Sequence, residues 1–317
     1  MQPRTITAPR QMTLANVGRG KTDAPLRVLL YGVEGVGKST FAAGAPAPIF
    51  VGPEDGVPPA LADVPRFHPP TGEWSWQDAL DAIHALTVEQ HTYAALAIDT
   101  LDWLEPLCWR HICARDGQPS IESYGYGKGY VAALDEWRVF LASLEKLRAA
   151  KPMHVVLLAH SWIKAFKDPE SDGYDRYQLK LHDKAAGLLK EWSDMVLFSN
   201  HETCVHVDAK TKRARGIGTG ARLIYTQRRA AFDAKNRHDL PETLPLAWED
   251  LFAATRTRQV ASPDELRAAI IDKIPLLGDR GAKATAALER AGSDAVRLAQ
   301  LNDWCNAYVT DEKGAAQ

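Results

Sequence analysis

The sequence has 317 residues, 45% apolar and 25% charged, close to the globular average, which excludes a disordered, collagen-like or coiled-coil chain. Lys plus Arg number 38 and Asp plus Glu 40, so the net charge of −2 excludes coating of nucleic acid by bulk positive charge, though not a local basic patch. The four cysteines, Cys108, Cys113, Cys204 and Cys305, contain no Cys-x-x-Cys pair and do not make a disulfide scaffold. No apolar run approaches the roughly 20 residues that cross a membrane, and MQPRTITAPRQMTL has no apolar leader core, so a reducing cytoplasm is the expected compartment.

Residues 1–24, with Arg4, Arg10, Arg19 and Lys21, read as a flexible basic arm. RVLLY (27–31) reads as a strand, Lys38 to Ala43 as a helix start, and PIFV (48–51) as a second strand. Helical periodicity over Trp76 to Leu86 precedes a buried strand, YAALAID (93–99), and a helix over Leu101 to Arg115. Val131 to Ala150 is a long amphipathic helix with Leu134, Trp137, Leu141, Leu144 and Leu147 on one face. MHVVLLAH (153–160) and DMVLF (194–198) complete the strands of this half. Strands alternating with helices predict an α/β fold with a mainly parallel sheet flanked by helices. Beyond residue 200, TCVHV (203–207) and RLIYT (222–226) suggest a hairpin, and DLPETLPLAWEDL (239–251) closes the core. Ser-Pro-Asp-Glu (262–265) then opens a small helical unit. The predicted organisation is an arm (1–24), an α/β core (25–254) and a helical C-terminal region (255–317).

GVEGVGKS (32–39) carries the chemistry. It fits G-x-x-x-x-G-K-[ST] between an apolar strand and a helix-compatible run. Gly32, Val33, Glu34, Gly35, Val36 and Gly37, followed by Lys38, Ser39 and Thr40, are the expected ATP-binding residues. Glycines let successive N–H groups face phosphate oxygens, and the helix start adds a favourable dipole. Lys38 is expected to bridge the β- and γ-phosphates, and Ser39 to ligate Mg²⁺. Asp99, at the carboxyl end of a buried strand, fits the second Mg²⁺ anchor, with a helix-cap role as the competing reading that Asp102 could take instead. Glu54, just beyond PIFV, is the preferred group to activate water, with Asp55 as its alternative.

This ordered set resembles the RecA/RadA recombinase superfamily, and more closely the compact phage-encoded ATPases of the Sak group, linked to single-strand annealing and recombination. The matching stretches include VLLYGVEGVGKSTFAAGAPAPIFVGPEDG, YAALAIDTLDWL, SYGYGKGYVAALDEW, MHVVLLAHSWIKAF and FDAKNRHDLP, spanning roughly residues 25–250. The resemblance implies a RecA-like core and a γ-phosphate sensor at His160, where recombinases often carry Gln; the histidine departs from that pattern. It also implies that Lys235 and Arg237 act as a Lys-x-Arg pair inserted into a neighbouring subunit's site, so that hydrolysis depends on self-assembly into an oligomer or filament.

Tyr124, Tyr126 and Tyr130, interleaved with glycines and Lys128, could stack on bases where a first DNA loop would lie, or pack as a turn. Residues 163–180, including Lys164 and Lys167, follow His160 as a second DNA loop would, but their charges cancel. From 208 to 229, Lys210, Lys212, Arg213, Arg215, Arg222, Arg228 and Arg229 face only Asp208, a balance of +6 that suits a phosphate-backbone clamp. His201, Cys204 and His206 have two potential metal ligands on one strand face but match no common zinc spacing. The leading expectation is a Mg²⁺–ATP-dependent protein acting on single-stranded DNA. A non-hydrolysing ATP-binding annealing module, a helicase-related ATPase and a small-molecule kinase stay open.

Overall fold

The computed structural model describes residues 13, 24–54, 56, 58–167, 172–207, 214–257 and 263–314. The chain runs β1 (Arg27–Gly32), α1 (Lys38–Ala43), β2 (Pro48–Val51), α2 (Trp76–Val88), β3 (Ala95–Ile98), α3 (Leu101–Asp116), α4 (Lys128–Ala150), β4 (His154–Phe166) and β5 (Tyr174–Leu179). It continues through α5 (Asp183–Trp192), β6 (Met195–Val207), β7 (Ala214–Tyr225), β8 (Thr243–Pro245), α6 (Trp248–Thr257), α7 (Pro263–Lys273), α8 (Gly281–Ala291) and α9 (Ala295–Gly314).

The strands lie side by side in the order β2-β3-β4-β1-β6-β7-β8, with β5 paired to β4 off this path. From β2 to β6 every pairing is parallel, and β7 and β8 add antiparallel strands at one edge. Alternation of side chains along each central strand feeds two cores. Leu29 and Tyr31 of β1, Val155 and Leu157 of β4, and Val196 and Phe198 of β6 enter one core beneath α2 to α5. Val28 and Leu30, Val156 and Leu158, and Met195 and Leu197 enter the other, against α1 and α6. Trp76, Trp137 and Phe140 lock α2 to α4 through ring contacts at 5.0–5.5 Å. Helices α7 to α9 bury Leu266, Ile270, Ala284, Leu288, Leu298 and Cys305 in a core of their own.

The predicted parallel α/β core is therefore present, with three differences. DMVLF and TCVHV belong to one strand, β6, kept continuous by antiparallel pairing with β7 across an irregularity between His201 and Thr203. Strand β4 runs beyond His160 to Phe166, because Ser161 to Phe166 pair antiparallel with Tyr174 to Leu179. The balanced charges of 163–180 thus sit largely on a hairpin instead of a loop. Helix α6 crosses the expected boundary at 254, since Trp248 and Leu251 are anchored in the second core. Among the described residues, no helix is long and apolar enough to cross a membrane.

Candidate nucleotide-binding site

Strand β1 ends at Gly32 and α1 begins at Lys38, so GVEGVGKS forms the turn between a central strand and a helix. Gly37 has φ +106°, a left-handed conformation that a side chain would strain. Lys38 is buried, and its ammonium donates to the Val33 carbonyl at 3.0 Å. Burial pulls the Lys38 pKa down, and the charges of Glu54, Asp102, Asp99 and Glu34 oppose that pull. Helix α1 has only six residues. Its dipole is correspondingly small, which corrects the weight the sequence reading gave it: the loop amides and the Lys38 ammonium are the groups able to hold phosphate.

Asp99 follows β3 and is 6% exposed. Burial pushes its carboxyl up to about 6, against the opposing hydrogen bond from the Ser39 hydroxyl, while the nearby Glu54 charge adds to the rise. Its Oδ1 is buried without a partner, as is Oε2 of Glu54. Glu54 is brought there by backbone packing. Its N–H donates to the Asp99 carbonyl at 3.3 Å, and Gly52 lets the two strand exits touch. Gly52 has φ +149°, and a Cβ placed on it would lie 2.1 Å from the Asp99 carbonyl oxygen. The competing candidate, Asp55, lies outside the described residues. Ser39 and Asp99 are a hydroxyl and a carboxylate already in contact, with one carboxylate oxygen to spare. Such a hard-oxygen set fits Mg²⁺.

The β1–β4 register sets His160 opposite Gly32, at the mouth of the loop. Asp102 receives it twice: Oδ1 accepts the His160 backbone N–H at 2.9 Å, and Oδ2 pairs with Nδ1 at 2.9 Å. Burial would raise the Asp102 carboxyl, but the hydrogen bonds and charge of His160 hold it below the usual carboxylate range. A carboxylate only accepts, so Nδ1 carries hydrogen and Nε2 is the nitrogen left for a ligand. Asp102 is thus not the cap of α3; Thr100 holds that position, without a side-chain cap bond. Its role as the partner of His160 escaped the sequence reading.

Other expected residues are not brought to this site. Lys235 pairs through its backbone with Val196, and its ammonium donates to the Lys190 carbonyl at 2.8 Å and the Glu191 carbonyl at 3.3 Å. Arg237 meets Asp194, which also binds Arg27 at the start of β1. Both therefore sit toward the amino ends of the strands, away from the phosphate loop. The Tyr124 hydroxyl donates to the Ile112 carbonyl and Asp116, and Tyr130 stacks on His182 at 4.1 Å while bonding Glu122. Tyr126 alone of the three is fully exposed, beside Lys128 at the start of α4. Lys164 lies 3.9 Å over the Trp162 ring and 3.3 Å from Asp183. Lys210, Lys212 and Arg213 lie outside the described residues, and of Arg215 only the β7 backbone is described. Among the described residues, no group of three or more His, Cys, Asp and Glu could hold a metal; of the expected His201, Cys204 and His206, the side chains of Cys204 and His206 lie outside the described residues. One hairpin cation does reach the loop: Arg222 Nη1 lies 3.4 Å from the Val36 carbonyl.

No curated protein matches the chain. The family model AAA_24, described as an AAA domain, matches residues 24–238. That span takes in the phosphate loop, Glu54, Asp99, the Asp102–His160 pair and the β6–β7 hairpin. The chain therefore belongs to the AAA_24 family of AAA domains, the P-loop type of nucleotide-binding ATPase domain.

Proposed function

We propose that this protein binds and hydrolyses Mg²⁺–ATP at the phosphate loop, and that it does so as a RecA-like ATPase of the compact phage-encoded Sak branch, acting on single-stranded DNA in recombination or annealing. One observation carries the ATPase reading: Lys38, Ser39, Glu54, Asp99 and the Asp102–His160 pair converge at the carboxyl edge of the sheet, and Glu54 and Asp99 each leave a buried carboxylate oxygen unpartnered. Buried acids without partners are costly unless a ligand completes them.

In this reading the loop amides and Lys38 hold the β- and γ-phosphates. Ser39 and Asp99 would hold Mg²⁺, which when bound neutralises phosphate charge. Glu54 orients a water toward the γ-phosphorus and takes its proton as the bond to the bridging oxygen breaks, leaving ADP and phosphate. His160 Nε2, fixed by Asp102, senses the γ-phosphate. Lys235 and Arg237 complete a neighbour's site in an oligomer or filament. The basic β6–β7 hairpin, Tyr126, Lys128 and Lys164 are the surfaces offered to DNA; Tyr124 is engaged internally and contributes less.

The test is ATP turnover with and without single-stranded DNA. Lys38→Ala is expected to abolish nucleotide binding, and Glu54→Gln to bind ATP yet hydrolyse it at least a hundredfold more slowly, within the range assigned to a general base of about 10²–10⁴. Undiminished turnover in Glu54→Gln would overturn the role of Glu54, and absence of stimulation by DNA would overturn the recombination reading.

A further inference from the structure

The order of the sheet divides the site into two flanks. Glu54, Asp99 and His160 leave β2, β3 and β4, all on one side of β1. On the other side of β1 stand β6, β7 and β8. If the γ-phosphate faces the acidic flank, as the proposed hydrolysis requires, the nucleoside end must extend over the opposite flank.

Two side chains wait there. Arg222, near the end of β7, brings Nη1 to 3.4 Å from the Val36 carbonyl. A Cβ built on Gly37 would lie 2.7 Å from that nitrogen and 3.7 Å from Leu246 Cδ2, so both side chains meet the loop at Gly37. The Leu246 N–H donates to the Arg222 carbonyl at 2.9 Å, which keeps the two residues side by side. Leu246 also packs against the second core, so it is a fixed apolar wall. Arg222 is exposed, and among the described residues no carboxylate lies within ion-pair distance of it. Its long contact to Val36 is weak and easily exchanged.

We propose that Arg222 and Leu246 form the nucleoside half of the ATP site, contributed in cis by the β7–β8 edge. The planar guanidinium lies against a face of the base, and Leu246 closes the apolar side. This inference rests on the phosphate-loop reading. It also links the nucleotide directly to the strand that carries the basic hairpin, since Arg222 pairs with His201 across β6 and β7.

The experiment measures Kd for ATP, ADP and inorganic tripolyphosphate in Mg²⁺, by calorimetry, on the full chain. Arg222→Ala is expected to weaken ATP and ADP alike, by about tenfold, between the effect of an exposed cation–π contact and that of a desolvated one. Tripolyphosphate, which has no nucleoside, is expected to bind Arg222→Ala within twofold of the parent. Arg222→Lys, which keeps the charge and loses the plane, should restore ATP binding only in part. The proposal is overturned if ATP and ADP affinities are unchanged, if only ATP weakens, or if tripolyphosphate weakens as much as ATP. Lys38→Ala separates the two readings. If that variant binds ADP as tightly as the parent, the phosphate-loop assignment fails; if it loses binding while Arg222→Ala does not, only the present proposal fails.

Discussion

Asp99→Asn is expected to stabilise the empty protein and to weaken its response to Mg²⁺ and nucleotide. Burial raises the Asp99 carboxyl from its ordinary 3.8 to about 6. Folding therefore favours the protonated form, and stability falls as the pH climbs from below 3.8 through 6. At about 1.4 kcal/mol per pKa unit, ionised Asp99 costs the metal-free fold about 3 kcal/mol at pH 8 and about half that at pH 5. Asparagine keeps the shape and an oxygen for the Ser39 hydroxyl, but carries no charge. With roughly 2–4 °C of melting temperature per kcal/mol in a domain of this size, the variant should melt about 6 °C or more above the parent at pH 8. The gap should narrow to about half at pH 5. The assay is thermal unfolding in EDTA at both pH values, repeated with Mg²⁺–ADP. Ligand should raise the parent more than the variant, because the parent alone retains the carboxylate that accepts the cation. A variant that melts at or below the parent in EDTA at pH 8, or a gap independent of pH, would refute the reasoning.

Gly52→Ala is expected to separate hydrolysis from binding. Its Cβ would fall 2.1 Å from the Asp99 carbonyl oxygen at φ +149°, so the β2 exit must move and carry Glu54 with it. Turnover should fall at least tenfold while ADP binding by the loop changes little, and equal losses in both assays would contradict this. Asp102→Asn removes the anion that holds His160 by its backbone and its ring. A buried charged hydrogen-bond pair of this kind supports a loss of about 2 kcal/mol in denaturant unfolding at neutral pH, shrinking as the parent is acidified through the Asp102 titration. A loss below about 0.5 kcal/mol would show that the pair contributes nothing to the fold.

The sheet and the phosphate loop were legible because their signals are local. RVLLY is a buried strand wherever it lies, and glycines before Lys38 can only be a turn. Glu54 and Asp99 were legible for a related reason: each comes directly after an apolar strand, and parallel strands deliver the residues at their carboxyl ends to one edge of the sheet. The Asp102–His160 pair was not legible, because it depends on the register that sets His160 opposite Gly32 and on the angle at which α3 leaves Asp99. For Tyr124 and Tyr130 the sequence left base stacking and a packed turn both open; Asp116, Glu122 and His182, partners 8 to 52 positions away, engage them in packing. Arg222 looked like one cation among seven; only the β7–β8 edge turns it over Gly37.

The Asp102–His160 pair and Arg222 have a common setting, and it bears on function. Much of what the tertiary packing added gathers at the carboxyl edge of the sheet and is unfavourable to an empty fold: a buried lysine among carboxylates, an aspartate whose ionisation opposes folding, and two carboxylate oxygens without partners. Among the described residues, the sheet interior and the α2–α4 aromatic cluster are apolar, and the buried Glu105 and Arg176 have hydrogen-bond partners in His182 and Phe232. Stability alone would remove the groups at the carboxyl edge, because apolar replacements of similar size would serve the fold as well or better. A polyanion with its cation reverses the sign of each term at once. The phosphates take the ammonium's charge, and the cation takes the carboxylates'. Ligand-induced stabilisation should therefore need nucleotide and Mg²⁺ together, with either alone giving less than half the combined rise in melting temperature. Equal rises from free ADP and from Mg²⁺–ADP would break the link between the buried acids and the nucleotide.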